Sequence, residues 1–209
     1  MVNAVILIMT GIVLSGGENR RMGKDKAFLK VDGIPMIEHV LRALRSVVNR
    51  VIIVTNSPGS YASYDVEVVT DACNKRGSLV GIYSGLLWSR DDYNIVVACD
   101  MPFLNPRLLS YMTSLAGEYD IILPKIGEFA EPLHAVYHKR LLPVMEDHIK
   151  REQLRIRGIF TGHRLRYVTG EEIDRFDPMR RSFVNLNTPR EYKEATCLDL
   201  ECRNFSSSS

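Results

Sequence analysis

Short runs of apolar residues alternate with amphipathic stretches through the first half of the chain. Such runs are typical of strands buried on both faces of a parallel sheet. They occupy residues 12–14, 50–56, 66–70 and 94–99. Apolar residues at helical spacing predict helices over 35–49 and 79–89, and Asn105 and Pro106 suit the N-cap and first position of a helix that ends at residue 115. The alternation predicts an α/β fold in which helices cover a mostly parallel central sheet.

The second half of the chain has a less regular pattern. It predicts strands at residues 120–124, 134–137, 165–169 and 182–184, and helices at 141–150 and 154–160. Thr188, Pro189 and Glu191 form the capping-box signature of one more helix. Residues 1–196 are predicted to form a single domain, and residues 197–209, which end in serines, a flexible tail.

The segment LSGGENRRMGKDK, residues 14–26, follows the first predicted strand and combines glycines with arginine and lysine. Glycine lets backbone N–H groups approach a ligand closely, and the cations neutralise phosphate charge. Spacing excludes a P-loop, because Lys24 is followed by Asp25, and a dinucleotide fingerprint, because Gly16 and Gly17 are adjacent. The segment therefore indicates a nucleoside triphosphate site. The alternative is a basic surface loop that joins a strand to a helix.

Polar residues also follow the other predicted strands. Asn56 and Asp71 follow the second and third strands, and Asp100 follows five apolar residues. Ligands of open α/β sheets bind at the carboxyl ends of the strands, so these groups are expected to converge. A carboxylate beside phosphates commonly binds Mg²⁺, which makes Asp100 the candidate metal ligand. The alternative for Asp100 is that it caps the following turn.

Two asparagines near the end of the predicted domain are further candidates. An extended backbone would put the amides of Asn185 and Asn187 on one side and turn Leu186 inward between them. The alternative is that both asparagines are cap and turn residues, which applies most directly to Asn187.

Composition and charge narrow the class of protein. The chain has 209 residues, 45% apolar and 25% charged, as in an ordinary soluble globular protein, and its net charge of +2 does not indicate a nucleic-acid partner. Thr10 and Gly11 interrupt the apolar N-terminal stretch, which has no basic flank, so neither a signal peptide nor a membrane span is predicted. Met9 is an alternative to Met1 as the natural start. The cysteines have no C-x-x-C spacing, which favours free thiols in the cytoplasm.

Three motifs carry a family resemblance. L-S-G-G-x-x-x-R-M-G-x-D-K, then C-D-M-P, then N-L-N-T-P-R-E-Y resemble, in order and spacing, the molybdenum cofactor guanylyltransferases of the nucleotidyltransferase superfamily. The resemblance covers residues 10–194 and implies a three-layer, Rossmann-like sheet of glycosyltransferase-A type. It implies transfer of GMP from GTP to the terminal phosphate of molybdopterin, with Mg²⁺ as cofactor and pyrophosphate as the second product.

The resemblance also implies the roles of individual residues. Arg21, Lys26 and Asp100 would be the catalytic residues, the two cations holding the triphosphate and Asp100 binding Mg²⁺. Asn185 and Asn187 would lie near the metal and the acceptor. The nucleotide itself would be bound by residues of the loop and of the strand ends, namely Leu14, Ser15, Gly16, Gly17, Lys26, Asn56, Asp71 and Asp100.

The choice of GTP depends on Gly16, because related cytidylyltransferases tend to carry alanine there and glycine leaves more room for a purine. Ser15 stands where the family usually has alanine. Residues 131–134, Glu-Pro-Leu-His, occupy the place of a loop near the acceptor. The expected partners are GTP, a molybdopterin-type acceptor, and cofactor-delivery or acceptor proteins that receive the product.

The predicted reaction does not need a protein base. A phosphate monoester has a second pKa of ~6 and is mostly ionised at neutral pH, so it can attack without losing a proton to the enzyme. The histidines are accordingly interpreted as structural. Two alternatives remain: another nucleotidyltransferase of the same fold that acts on a sugar phosphate or other phosphate, and a nucleotide-binding module without transfer activity.

Overall fold

A computed structural model describes residues 8–16 and 26–186 of the chain. Five α-helices are present in these ranges: α1 (Met36–Arg45), α2 (Ser78–Trp88), α3 (Pro106–Ser114), α4 (Leu142–Lys150) and α5 (Gly170–Asp174). The strands in the same ranges are β1 (Met9–Leu14), β2 (Lys30–Val31), β3 (Ile34–Pro35), β4 (Arg50–Val54), β5 (Glu67–Val69), β6 (Tyr93–Ala98), β7 (Ile121–Ile126), β8 (Phe129–Ala130), β9 (His134–His138) and β10 (Leu165–Thr169).

The central sheet has the strand order β10-β7-β9-β6-β1-β4-β5, and β8 pairs with the end of β7. Strand β1 is parallel to both β4 and β6, and β4 is parallel to β5. Strand β9 is antiparallel to β6 and β7, while β10 is parallel to β7. The sheet is therefore mixed but mostly parallel, as predicted from the short, continuous apolar runs. Strands β2 and β3 form a separate hairpin.

Helices cover both faces of this sheet. Neighbouring residues of β1 point to opposite faces: Val13 joins a core with α1 and α3, whereas Ile12 joins a second core with α2 and α4. The same alternation occurs in β4, where Ile53 and Ile52 belong to the first and second core. Side chains of consecutive strand residues project to opposite sides, so a sheet covered on both sides has apolar residues at every position. The fold is thus the three-layer arrangement that the resemblance implies.

Two predicted elements have a different conformation. Residues 182–184 were expected as a strand but form a 3-10 turn, Arg181–Phe183. The reason is the carboxylate of Asp177, which accepts the N–H groups of Arg181 at 3.1 Å and of Ser182 at 2.8 Å and so curls the backbone. Residues 154–160 contain a 3-10 turn, Ile156–Phe160, instead of a regular helix. The predicted capping box at Thr188 and the predicted tail lie outside the described residues.

The junction of β10 and α5 provides a stability prediction. Glu172 accepts hydrogen bonds from Tyr111 and Arg166, and its side chain and that of Thr169 complete a reciprocal capping box. Burial alone would raise the pKa of Glu172, but these hydrogen bonds and the charge of Arg166 lower it from 4.5 to about 2. A lowered carboxyl pKa stabilises the folded state above pH 4.5, and this stabilisation is lost as the pH falls towards 2.

Replacing Glu172 by glutamine is therefore expected to lower the free energy of unfolding by about 1.5 kcal/mol near neutral pH. Urea titrations of both proteins would measure this difference, which should shrink as the pH falls below 4.5, towards 2. Glu171→Gln, at the exposed neighbouring position, is the control and should change little. A difference that did not vary with pH would contradict the assignment.

Candidate functional site

The polar clusters that follow the first three parallel strands lie at one edge of the sheet. Backbone hydrogen bonds continue past the ends of the strands, so the carboxyl ends of neighbouring strands are aligned. The N–H of Ser15 donates to the carbonyl of Val54 at 2.9 Å, and the N–H of Thr55 donates to the carbonyl of Val69 at 2.9 Å. On the other side of β1, the N–H of Cys99 donates to the carbonyl of Leu14 at 3.1 Å. The residues that follow β1, β4, β5 and β6 are therefore neighbours, as predicted for a parallel sheet.

Asn56 and Asp71 form a direct pair at this edge. The amide Nδ2 of Asn56 donates to Oδ2 of Asp71 at 2.7 Å, although fifteen positions separate the two residues in the sequence. Each residue follows a short parallel strand, so the pairing of β4 with β5 brings them together. The hydrogen bond fixes an accessible carboxylate at the ends of β4 and β5, and β4 is the neighbour of β1.

The three residues at the end of β1 have different environments. Leu14 is half-buried and packs against Gly81 of α2, where an added Cβ would lie 3.3 Å from the Leu14 side chain. Ser15 is buried, and its hydroxyl forms a hydrogen bond with the hydroxyl of Tyr61. Gly16 is exposed, and a Cβ added there would have no atom of the described residues within 4 Å. The side chain of Ser15 is thus directed into the protein, whereas Gly16 borders open space.

Lys26 begins a 3-10 turn, Lys26–Phe28, that is anchored close to Ser15. The ring of Phe28 lies 5.1 Å from the ring of Tyr61 and 6.1 Å from that of Tyr64. Tyr61 also bonds to Ser15, so one aromatic cluster connects the end of β1 with the turn that carries Lys26. The sequence gives no sign of this connection, because Phe28 and Tyr61 are distant in the chain.

Asp100 and Asn185 are brought together by the backbone. The N–H of Leu186 donates to the carbonyl oxygen of Asp100 at 3.1 Å. The side chain of Leu186 is buried beside Val31 and Met36, as expected from an inward-pointing residue between two asparagines. Asn185 is half-buried, and its Oδ1 is enclosed without a hydrogen-bond partner in the described part of the chain. The backbone therefore places Asn185 next in sequence to a residue that bonds to Asp100.

Three of the predicted site residues, Gly17, Arg21 and Asn187, lie outside the described residues. Lys26 is the part of the basic loop that the structure describes, together with Leu14, Ser15 and Gly16. The proximity of Arg21 to the other site groups thus stays a prediction.

Two charged residues near segment 100–103 were not given individual roles by the sequence patterns. Glu131 follows β8. Burial raises the pKa of its carboxyl, and the nearby negative charge of Asp100 raises this pKa further. Arg181 places its guanidinium over the ring of Phe103, 4.3 Å from the ring centroid. Phe103 is three positions after Asp100 in the sequence. The Glu-Pro-Leu-His motif hinted at Glu131, but Arg181 lies in the segment that was expected to be a strand.

The described histidines have structural surroundings. His39 contacts the carbonyl of Val31 at 3.0 Å, and His138 accepts the N–H of Arg140 at 2.9 Å as an N-cap. His134 is fully buried, its ring stacked 5.0 Å from that of Phe183. Burial lowers the pKa of His134 to about 4, against the opposing influence of the Ser182 backbone and Asp177. The ring is therefore neutral near pH 7 and out of contact with solvent.

Membrane-spanning helices and clusters of metal-binding side chains are both absent from the described residues. Between residues 8 and 16 and between 26 and 186, no helix has the length and apolar character needed to cross a membrane. In the same ranges, no group of three or more His, Cys, Asp or Glu side chains could hold a metal ion. Cys73 is a free thiol.

Comparisons with known proteins agree with this geometry. Residues 11–166 match the model of the MobA-like NTP transferase domain. The chain is 36% identical over 189 residues to the molybdenum cofactor guanylyltransferase of Desulfosudis oleivorans, covering 90% of this chain and 94% of that protein. It is also 36% identical, over 193 residues, to a probable molybdenum cofactor guanylyltransferase of Natranaerobius thermophilus, covering the same shares of the two chains.

A solved structure has the same fold. The crystal structure of molybdopterin-guanine dinucleotide biosynthesis protein A from Archaeoglobus fulgidus superimposes with a TM-score of 0.80 at 28% identity, covering 92% of this chain and all of that one. The family model spans the sheet from β1 into β10 and therefore includes every strand end that carries a described site residue. The segment of Asn185 lies beyond the matched residues. The chain belongs to the MobA-like NTP transferase family.

Proposed function

We propose that this protein transfers GMP from GTP to the terminal phosphate of molybdopterin and releases pyrophosphate. The observation that carries the proposal is the convergence of Gly16, Asp71 and Asp100 at one sheet edge. This convergence occurs in a chain whose relatives are named molybdenum cofactor guanylyltransferases. The fold supports a nucleotide site at this edge, because open α/β sheets bind ligands outside the carboxyl ends of their strands.

The nucleoside would lie over the carboxyl ends of β1, β4 and β5. Gly16 leaves open space where a side chain would stand, which accommodates a purine, and the Asn56–Asp71 pair offers a fixed carboxylate to ribose or base. Because the Ser15 hydroxyl is engaged with Tyr61, Ser15 would contribute its backbone to the nucleotide. Gly17, in the same loop, would contribute its backbone in the same way.

Catalysis would then depend on position and charge. An oxygen of the acceptor phosphate attacks the α-phosphorus of GTP, a new phosphorus–oxygen bond forms, and the bond to the bridging oxygen breaks as pyrophosphate leaves. Lys26 and Arg21 would neutralise charge on the triphosphate and the leaving group. The buried, neutral His134 has no access to this oxygen, which agrees with a reaction that needs no protein base.

The donor set at Asp100 fits Mg²⁺. This ion favours one or two carboxylates together with phosphate oxygens. The enclosed Oδ1 of Asn185, which has no hydrogen-bond partner among the described residues, is an additional oxygen of the suitable type. When bound, Mg²⁺ would supply charge neutralisation at the phosphates. Asn187, two positions further along the chain, would assist near the metal and the acceptor.

The first test is a panel of nucleotides and acceptors. With molybdopterin present, we expect GTP to support pyrophosphate release and the guanine dinucleotide to form, and CTP and UTP to be poor substrates. Preferred turnover of CTP or UTP, or of a sugar phosphate as acceptor, would favour another nucleotidyltransferase of this fold. Binding of GTP without transfer to any acceptor would favour the non-catalytic module.

Replacing Lys26 by alanine provides the matching residue test. Loss of one group that stabilises developing charge is expected to lower the rate of GMP transfer about 100-fold. Lys30→Ala, at an exposed position of the neighbouring hairpin, is the control and should retain native rates. Steady-state pyrophosphate release measures both variants, and a Lys26→Ala enzyme with native kcat and KM would remove Lys26 from the proposed site.

A product that must reach a molybdenum enzyme is well suited to direct transfer between proteins. We therefore include an acceptor or delivery protein among the expected partners. Co-purification would detect the association with such a protein, and we expect the complex to dissociate on dilution.

A further inference from the structure

A small cavity lies beside Asp100 on the side of the sheet edge away from the β1 loop. Its volume is about 200 Å³. One wall comes from the ends of β7 and β8, and the other from the 3-10 turn at residues 181–183. Its lining is apolar and aromatic except for one carboxyl group: Pro124, Ile126, Phe129, Ala130, Glu131 and Phe183.

The position of Glu131 connects this cavity to the proposed transfer site. Two residues after Glu131, the carbonyl of Leu133 accepts the N–H of Ala98, the last residue of β6, at 3.1 Å. Asp100 is two residues beyond Ala98, and its charge acts on the Glu131 carboxyl. A molecule bound in the cavity therefore lies close to Asp100, on the acceptor side of the proposed transfer site.

The Glu131 carboxylate is held in place but not saturated. Its Oε1 accepts the N–H of Leu133 at 3.2 Å, and the backbone N–H of Glu131 donates to the carbonyl of Pro124 at 3.0 Å. In the described part of the chain, no other hydrogen-bond donor reaches the carboxylate. A carboxylate has about four lone-pair sites, so most of its accepting capacity is open to a ligand. A half-buried acid with such capacity selects a ligand that presents N–H groups.

The two phenylalanines form aromatic walls of different character. Phe183 is fixed, because its ring stacks on the buried ring of His134. Phe129 is 83% exposed, at the tip of a tight turn in which Gly127 has a φ of +56°. A phenylalanine with this exposure gains apolar burial and stacking when a flat ring occupies the cavity.

We propose that this cavity binds the bicyclic pterin ring of the acceptor, between Phe129 and Phe183, and that Glu131 selects the ring through its 2-amino-4-oxo edge. The inference rests on the proposed function for the identity of the acceptor. The edge carries the ring N3–H and the 2-amino group side by side, and a carboxylate accepts two parallel N–H groups of this kind as it does from arginine. A 2,4-dioxo ring of equal size places a carbonyl oxygen against the carboxylate and is disfavoured.

Direct binding measurements test the proposal without any transfer reaction. The probes are pterin (2-amino-4-oxopteridine) and lumazine (2,4-dioxopteridine), titrated into the full chain and followed by their fluorescence. We expect pterin to bind at least about tenfold more tightly than lumazine, since one ligand satisfies the carboxylate and the other opposes it. In Glu131→Gln this ratio should fall to near one, because an amide both donates and accepts.

Two other variants separate the roles of the residues. Glu128→Gln is the matched control, because Glu128 is three positions away in the same hairpin, is 92% exposed and forms a salt bridge with Lys125. Its pterin-to-lumazine ratio should equal that of the native protein. Phe129→Ala, at an exposed position that the fold does not require, should weaken both ligands by about tenfold and leave their ratio unchanged.

Kinetics supply the second readout. With molybdopterin and GTP, Glu131→Gln should raise the KM for molybdopterin about tenfold and leave the KM for GTP unchanged. Equal binding of pterin and lumazine to the native protein, or an unchanged ratio in Glu131→Gln, would overturn the proposal even if GMP transfer is observed. Discrimination through Glu131 in a protein that transfers no GMP would support the pterin pocket and contradict the proposed function.

Discussion

Asp100→Ala is expected to lower the rate of GMP transfer about 10²–10³-fold, the usual effect of losing one preorganised electrostatic group. The reason is that the carboxylate stands at the tip of β6 and is the proposed protein ligand of Mg²⁺. The backbone carbonyl of Asp100, which accepts the N–H of Leu186, is retained in the variant, so the segment of Asn185 should keep its place. The measurements are pyrophosphate release as a function of Mg²⁺ concentration, and GTP affinity by calorimetry with and without Mg²⁺.

The control for this variant is at the other end of the same strand. Asp92 is exposed, immediately before β6, and about the length of the strand away from Asp100. Asp92→Ala should retain native transfer rates and the native dependence on Mg²⁺. For Asp100→Ala we expect GTP binding to become insensitive to Mg²⁺. If Mg²⁺ continued to strengthen GTP binding in this variant as it does in the native protein, Asp100 would not be the metal ligand.

Gly85→Ala is expected to destabilise the fold by about 1–3 kcal/mol, the typical range for overpacking a core. Gly85 lies in α2 against β1, and a Cβ added there would be 2.5 Å from Cγ2 of Ile12 and 3.2 Å from Cγ2 of Val54. Both neighbours are β-branched residues in buried strands and have little freedom to move. Alanine is by itself the better helix former by about 1 kcal/mol, so the sign of the change distinguishes packing from helix propensity.

Gly81→Ala, one turn earlier in the same helix, is the matched control. Its Cβ would meet only the end of the Leu14 side chain, at 3.3 Å, and a small shift relieves that contact. We expect its free energy of unfolding to stay close to the native value, measured by urea denaturation followed by circular dichroism. Since β1 leads into the loop that we propose binds the nucleotide, Gly85→Ala should also weaken GTP binding. A stabilised Gly85→Ala protein would show that α2 does not pack against β1 as closely as described.

The sequence predicted most of the fold because the relevant signals are local. Each parallel strand is a short apolar run, and each helix repeats apolar residues at helical spacing, so their order indicated the three-layer arrangement. Asn105 was predicted as an N-cap and does accept the N–H of Arg107 at 2.9 Å. The turn at residues 182–184 was predicted wrongly, because the hydrogen bonds of Asp177 outweigh the extended preference of Phe183 and Val184.

The nucleotide half of the candidate site was also accessible from the sequence. Parallel strands align their carboxyl ends, so the residues after each strand must be neighbours, and the pairing of Asn56 with Asp71 is a direct consequence. The same reasoning could not reveal which way a side chain turns. Ser15 was expected to line the nucleotide, but its hydroxyl bonds to Tyr61, whose position depends on packing of residues far apart in the chain.

The acceptor side was decided by the tertiary structure. The cavity beside Asp100 is formed by a hairpin and a 3-10 turn more than fifty positions apart, and Phe183 is fixed there by a buried histidine. Contacts of this kind leave no periodic pattern, because they depend on shape and not on the repeat of a helix or strand. The sequence by itself determined the family, the sheet and the edge at which we propose that the nucleotide binds. Only the tertiary structure brought Glu131 close to Asp100 and formed the aromatic cavity that Glu131 lines.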